Sequence, residues 1–302
     1  MASERRTYAE AGVSIEKAGA VVERLRAAVE STGASGFGAF AGLHPLDETR
    51  LLAASTDSVG TKLVLARARG ALRNCGADLA AHCINDVLTC GAEPLLFLDY
   101  VAANRIELEQ VAELVEGAAE VCREAGVALV GGETAELPGI YKEGELDFAG
   151  TCVGVVDRGR VIDGSRIEAG DAVVGLRSAG VHANGFTLVR RILELEDYDG
   201  DDLLASTRLY LEDVGRLRVR GEIRGLAHVT GGGILGNLAR ILPAGVTAEL
   251  DWSSWERPSV FEWLARHVDE DELRRVFNLG IGYVAVVSDP GDALVIGTIV
   301  RA

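Results

Sequence analysis

Seven consecutive residues, Thr56-Asp57-Ser58-Val59-Gly60-Thr61-Lys62, place a carboxylate, hydroxyls, a glycine and a lysine side by side. They follow an apolar run, Leu51–Ala54, that reads as a short buried strand, and precede Leu63–Arg69, which reads as a helix. Strand, small polar turn and helix is how chains build anion sites, because a helix N-terminus offers free N–H groups and a positive dipole end. Lys62 points to phosphate and Asp57 to the metal that travels with it. The pattern is not G-x-x-x-x-G-K-[ST]: Ser55 stands five positions before Gly60, and Thr61 separates Gly60 from Lys62. Thr and Asp also cap helices, so a structural N-cap is the alternative.

Further carboxylates recur at the ends of elements in the same half. Asn85-Asp86 lies on an amphipathic helix over 78–89, Asp99 ends the buried strand 95–101, and Glu133 follows the strand Val127–Val130 in the turn Gly131-Gly132-Glu133-Thr134. A buried carboxylate is costly unless paired or metal-bound. Several on one edge suggest a hard cation, with Mg²⁺ using one or two of them plus substrate phosphates. An N-cap or hydrogen-bonded strut is the alternative for each. Gly33 to Phe40, containing Gly36, Phe37 and Gly38, has the backbone freedom to fold over phosphates or simply to be a flexible loop. In the second half, His182 and Asn184 lie in the loop 178–185, and His228 precedes Thr230-Gly231-Gly232-Gly233, which opens a helix over 234–241 and reads as a phosphate cradle. G-x-S-x-G, H-E-x-x-H and G-x-G-x-x-G are absent, which removes support for a hydrolase triad, a zinc protease and a Rossmann dehydrogenase.

The elements that position these residues fall into two halves. In the first, a helix follows Gly19, and another over 106–125 stops at Gly126 before strands Val127–Val130 and Phe148–Val156. The polar stretch 158–170 breaks the pattern, so the expected domains are 1–164 and 165–302. Strand Ala172–Leu176 restarts the pattern, followed by a helix from Phe186, a helix over 255–267, a strand through Val287 and a closing strand over 293–300.

The chain of 302 residues is 48% hydrophobic, enough for two packed cores. Its net charge of −16 opposes an electrostatic grip on nucleic acid or anionic membrane. Lysine occurs only at Lys17, Lys62 and Lys142. An acidic, lysine-poor surface resembles proteins of salt-loving organisms, the alternative being arginine replacing lysine through codon bias. Five cysteines without a C-x-x-C pair argue against a disulfide framework or zinc site. With no leader-like apolar segment and no run long enough to span a bilayer, a soluble cytoplasmic protein is expected.

Taken in order, these motifs resemble the phosphoribosylformylglycinamidine cyclo-ligase (aminoimidazole ribonucleotide synthetase) family. The resemblance runs from Tyr8–Val13 through Thr56–Lys62, Asp86–Pro94, Phe97–Tyr100, Gly131–Gly139, Ser178–Gly185, Ser206–Tyr210, Ala227–Gly233, Trp255, Phe261–Leu264 and Phe277–Gly282. It implies an α+β fold with an N-terminal domain that dimerises through its sheet and a C-terminal α/β sandwich. ATP and a nucleotide substrate would lie between them, and the reaction would close the imidazole ring of formylglycinamidine ribonucleotide at the expense of ATP. On that resemblance, Asp57, Asp86 or Glu133 hold Mg²⁺. Gly36, Phe37, Gly38, Thr56, Gly60, Thr61, Asn85, Gly132 and Thr134 join them around ATP. Lys62 adds charge to the transferring group, Asp86 belongs with it in the chemistry, and His182 and Asn184 orient the amide or move a proton. Thr230, Gly231 and Gly232 hold the substrate's phosphate. The chain departs from the family pattern at Glu10 and Ser14, where aspartates are usual, at Ser206, and in the short link 288–294, where the family has a helix. Two readings compete: a superfamily relative of the selenophosphate synthetase or thiamine-phosphate kinase type, and a non-catalytic nucleotide-binding scaffold. No cysteine precedes Cys75, which counts against the selenophosphate type. The co-occurrence of Asp86–Pro94 with Gly131–Gly139 counts against the kinase.

Overall fold

The structure, a computed structural model, describes residues 6–33 and 37–302. The first half begins with α1 (Ile15–Glu30), which starts before Gly19 because Ser14 caps it, its hydroxyl accepting from the Lys17 N–H at 3.2 Å. There follow β1 (Gly42–Pro45), β2 (Arg50–Ser58), α2 (Lys62–Ala68), α3 (Leu72–Thr89), β3 (Glu93–Ala103), α4 (Leu108–Ala125), β4 (Ala128–Glu136) and β5 (Leu146–Asp157). The five strands form one sheet in the order β1-β2-β5-β3-β4, antiparallel except for the parallel β3–β4 pair. Alternate residues Phe97, Val101, Phe148 and Cys152 meet Leu79, Cys83, Ile84 and Val87 of α3 in the core. The opposite face exposes Leu98, Tyr100 and Val130. Helices α3 and α4 cross at two glycines: a Cβ on Gly76 would stand 1.9 Å from the Leu114 carbonyl, and one on Gly117 2.0 Å from that of Arg73. Gly126 ends α4 in the left-handed conformation, as its position predicts.

Two expected turns are strand. Thr56, Asp57 and Ser58 belong to β2, because the ladder with β5 continues to Ser58–Ala149. Gly131 to Glu136 belongs to β4, which pairs with β3 through Ala103–Glu136. Backbone pairing outweighs the turn propensity of Asp57 and Ser58 in the first place and of the two glycines in the second.

The second half contains β6 (Ala172–Arg177), α5 (Phe186–Leu193), α6 (Leu211–Arg220), β7 (Ile223–His228), α7 (Gly233–Leu238), β8 (Val246–Leu250), α8 (Ser259–Ala265), α9 (Glu270–Val276), β9 (Ile281–Val287) and β10 (Val295–Arg301). The sheet is antiparallel, in the order β7-β9-β6-β10-β8. Every residue of β9 is buried, with Val284 and Val286 facing one core and Tyr283, Ala285 and Val287 another. Sequence reasoning did not find β1, α6, β7, β8 or α9. It began α8 too early, since Pro258 fixes the entry to the helix at Ser259. The link 288–294 is a turn that returns β10 to the edge of β6.

Helix α3 belongs to both halves. Leu88 packs into the second sheet's core with Tyr210 and Tyr283, while Leu204, Leu209 and Leu211 pack on the first core. The five cysteines are unpaired and buried, and burial pushes the Cys75 and Cys152 thiols up to about 12. Among the described residues no helix is long and apolar enough to cross a membrane.

Candidate active site at the seam between the sheets

A cavity of about 290 Å³ opens where the end of β2 meets the start of α5. Its wall includes Asp57, Gly60 and Thr61 from the first half, and Asn184 and Thr187 from the second, with Tyr8 and His82 beside them. The Thr61 and Thr187 hydroxyls lie 2.8 Å apart, joining the first turns of α2 and α5. Burial raises the Tyr8 hydroxyl's pKa, and a hydrogen bond from the Gly185 backbone opposes the rise. The Asp57 carboxylate accepts from the Ser58 N–H at 2.7 Å.

Helix α3 supplies the polar back wall. Asp78, His82 and Asp86 recur at a spacing of four, so one face of the helix carries all three. Asp86 accepts from Ser55 Oγ at 3.0 Å through one oxygen and lies 2.9 Å from His228 Nδ1 through the other. A carboxylate partner requires a proton on Nδ1, which leaves His228 Nε2 as the acceptor nitrogen. Nε2 is buried and has no hydrogen-bond partner. The His82 ring lies 4.8 Å from that of His228, its Nε2 is 3.3 Å from Asn184 Nδ2, and its Nδ1 is likewise unpartnered. Burial and then the neighbouring His228 hold the pKa of His82 below the usual imidazole range, against Asp57, Asp78 and Asp86.

A second cavity, also about 290 Å³, lies near the C-terminal end of α3. It is mostly apolar, with Phe40, Leu43, Ile162 and Leu226 among its lining, and carries Asp163 and Arg240. The Arg240 guanidinium stacks 3.7 Å from the centre of the Phe40 ring and donates to the Gly38 carbonyl at 3.2 Å. The glycine-rich loop therefore ends on this cavity, with Arg26 donating to the Phe37 carbonyl at 2.9 Å. Gly36 lies outside the described residues.

The structure thus gathers Asp57, Gly60, Thr61, Asp86 and Asn184, with Phe37 and Gly38 near the second cavity. Gly231 approaches them, since a Cβ there would lie 3.7 Å from Asn184 Oδ1. From α7, Asn237 Nδ2 donates to the Thr230 and Gly231 carbonyls at 3.3 Å, and Gly232 caps this helix with positive φ.

Other residues are elsewhere. Lys62 is wholly buried: its ammonium pairs with Asp78 at 2.6 Å and donates to the carbonyls of His182 and Ala205 at 2.8 and 2.9 Å. Three oxygens surround a group with three protons, so none faces phosphate. His182 also turns inward, its Nε2 accepting from the Ala179 N–H at 3.2 Å and its ring packed against Gly282. Asn85 is a buried strut, donating to the Arg208 carbonyl at 2.8 Å and accepting from the Tyr210 N–H at 3.1 Å. Thr56 bonds Thr151 at 2.8 Å on the exposed part of the ladder between β2 and β5. Gly132, Glu133 and Thr134 sit on the edge strand β4, three strand spacings from β2, about 14 Å. That distance separates Glu133 from Asp57 as joint ligands of one ion. Among the described residues no group of three His, Cys, Asp or Glu side chains is arranged to hold a metal.

His82, Ser55 and Arg240 went unrecognised in the sequence. The four-residue spacing of Asp78, His82 and Asp86 was the available signal for His82. Ser55 and Arg240 act through strand pairing and packing that only the fold creates.

Comparison with known proteins agrees with this architecture. Residues 38–156 match the model for the AIR synthase related protein N-terminal domain, and residues 168–296 that for its C-terminal domain. The phosphoribosylformylglycinamidine cyclo-ligase of Synechococcus sp. (strain CC9605) is 47% identical, over 96% of this chain and 90% of its own. That of Sorangium cellulosum (strain So ce56) is 48% identical, over 93% and 88%. A solved structure described as AaThiL complexed with AMPPCP and TMP superposes with a TM-score of 0.66 at 14% identity, over 92% of this chain and 90% of that one, and shows the shared fold. With both of its halves and nearly its whole length matched in sequence, the chain belongs to the phosphoribosylformylglycinamidine cyclo-ligase family.

Proposed function

We propose that the chain closes the imidazole ring of formylglycinamidine ribonucleotide with ATP, releasing ADP and phosphate, in purine biosynthesis. An amide oxygen is a poor leaving group. Transfer of the γ-phosphoryl of ATP to it gives an iminophosphate and ADP. The neighbouring nitrogen then attacks the activated carbon, inorganic phosphate departs and a proton is lost. The observation that carries this reading is the seam itself: a cavity between the sheets whose wall includes Asp57, His82 and Asn184, backed by a buried His228 with a free Nε2.

The residues fit defined tasks. Asp86 fixes the tautomer of His228, so Nε2 can accept the proton lost on ring closure. Asn184 and His82 present hydrogen-bonding groups to the reacting amide. Residues 1–164 carry the nucleotide, its base lying in the apolar cavity beside Phe40 and Asp163, and residues 165–302 complete the cleft. Of the carboxylates considered, Asp57 is the one on the cavity wall, whereas both oxygens of Asp86 already have partners. Mg²⁺ would therefore rest on Asp57 and the phosphates, where its charge offsets theirs. The exposed apolar face of Leu98, Tyr100 and Val130 supports a homodimer formed through the first sheet. A cytoplasmic setting accords with the absence of a candidate membrane-spanning helix among the described residues.

The test is phosphate release from ATP with and without formylglycinamidine ribonucleotide. Release that depends on the nucleotide is expected. Release independent of it, or none, overturns the reading.

A further inference from the structure

Lys62 lies beside the cavity but does not enter it. It is the first residue of α2, and its ammonium reaches into the second half of the chain at two places, the His182 carbonyl and the Ala205 carbonyl. Its partner Asp78 reaches the same region, accepting from both the N–H and the hydroxyl of Thr207 at 2.8 Å. One buried ion pair from the first half thus holds two segments of the second.

The first of those segments is the loop that leads to Asn184. His182 has φ +64°, a left-handed conformation that a side chain bearing a Cβ adopts only where its surroundings fix it. Those surroundings grip three carbonyls in succession. Asn278 Nδ2 donates to Gly180 and Val181 at 2.9 and 3.1 Å, and Lys62 Nζ to His182. Two residues on, Asn184 enters the cavity wall, and Gly185 then opens α5. Asn278 belongs to the same half as the loop, whereas Lys62 fixes the loop relative to Asp57, Thr61 and His82.

We propose that Lys62 is a positioning residue: its ammonium, oriented by Asp78, sets the place of the 182–187 segment in the cleft and touches neither nucleotide. The inference rests on the reaction proposed above. Nucleotide-dependent phosphate release by the unaltered protein tests that reaction, and the variants, measured against it, test Lys62.

The decisive comparison is Lys62→Met with the double variant Lys62→Met/Asp78→Leu. Removing one partner strands a buried charge, whereas removing both leaves an apolar pair of similar volume. The double variant removes the stranded charge but leaves the Thr207 donors and the His182 and Ala205 carbonyls without these partners, so it is expected to recover part of the thermal midpoint lost by the single one. Its kcat should nevertheless stay at least tenfold below that of the unaltered protein, with KM for ATP within threefold. Recovery of kcat together with stability would make Lys62 a structural residue only. A tenfold rise in KM for ATP with kcat retained would mean that Lys62 binds phosphate. Should the double variant fail to fold, amide exchange in Asp78→Asn decides. Faster exchange by tenfold at residues 182–186, with β9 unchanged, is expected, and unchanged exchange there overturns the proposal.

Discussion

Gly282→Ala probes the seam through a single methyl group. Gly282 lies on β9 without positive φ, so alanine suits the backbone and only contact is tested. Its Cβ would stand 2.1 Å from Tyr210 Oη and 2.5 Å from His182 Cε1. Ordinary contacts between heavy atoms lie near ~3.5–4.0 Å, so each neighbour must yield by about 1 Å or more. Neither has room. Tyr210 Oη donates to the Arg177 carbonyl at 3.1 Å, and its ring lies 5.1 Å from that of Tyr283. His182 is held at its ring by Ala179 and at its carbonyl by Lys62. Overpacking costs ~1–3 kcal/mol, and with both neighbours buried and tethered the upper end, ~3 kcal/mol, applies. At an unfolding entropy of about 2.1 cal/mol/K per residue over 302 residues, each kcal/mol shifts the midpoint by roughly 1.6 °C, so the thermal midpoint should fall by roughly 5 °C. Displacing His182 also displaces Asn184, so kcat for phosphate release at 25 °C should drop about tenfold, on the scale of small misplacements in a site. Differential scanning calorimetry and steady-state kinetics on the same preparation measure both. Gly215→Ala in α6, where an added Cβ meets nothing within 4 Å, is the control and should stabilise by ~0.5–1 kcal/mol. A midpoint within 2 °C of the parent for Gly282→Ala would refute the packing described for His182 and Tyr210.

Further expectations concern pH and the first core. Burial, with His82, His228, Lys62 and Arg208 nearby, holds the His182 pKa well below 6.5, so the unfolded chain binds this proton first. Its contribution to stability is complete above about pH 6.5 and is lost as pH falls, at up to ~1.4 kcal/mol per unit. Thermal midpoints from pH 7 to 5 should therefore decline, less steeply in His182→Asn, since asparagine tolerates positive φ; equal slopes would contradict the burial of a neutral ring. At the α3–α4 crossing, Gly76→Ala and Gly117→Ala each drive a methyl into backbone and should cost ~3 kcal/mol or more in urea unfolding. A cost below 1 kcal/mol for either would show that the helices separate without strain.

How much was legible depended on what each residue meets. Apolar periodicity placed α3, α4 and β3 because their buried faces repeat at helical or strand spacing. It missed β8, whose short run alternates between half-buried and exposed residues, and α9, whose first turn is three acids and whose buried residues are Leu273 and Val276. Motif chemistry brought Asp57, Asp86 and Asn184 to one seam. It misdirected Lys62, because a lysine after a small polar turn looks the same in sequence whether its ammonium faces solvent or a carboxylate sixteen positions on. Burial separates those cases, and burial here depends on the Ala205–Thr207 segment arriving from the other half. Glu133 was misplaced for a related reason: strand order, which sequence spacing does not encode, sets β4 apart from β2.

Helix α3 carries a consequence for how the molecule comes apart. Fourteen of its eighteen residues are buried, and they serve two sheets at once. Leu88 lies in one core and Leu79 in the other, while Asn85 bonds Arg208 and Tyr210 across the gap. Neither sheet can lose its partner without exposing this helix, and neither core is complete when the helix has left. Two separately recognisable sequence units are therefore one thermodynamic unit. Heating should give a single calorimetric peak with van't Hoff and calorimetric enthalpies in agreement, and each unit expressed alone should lack a sharp transition.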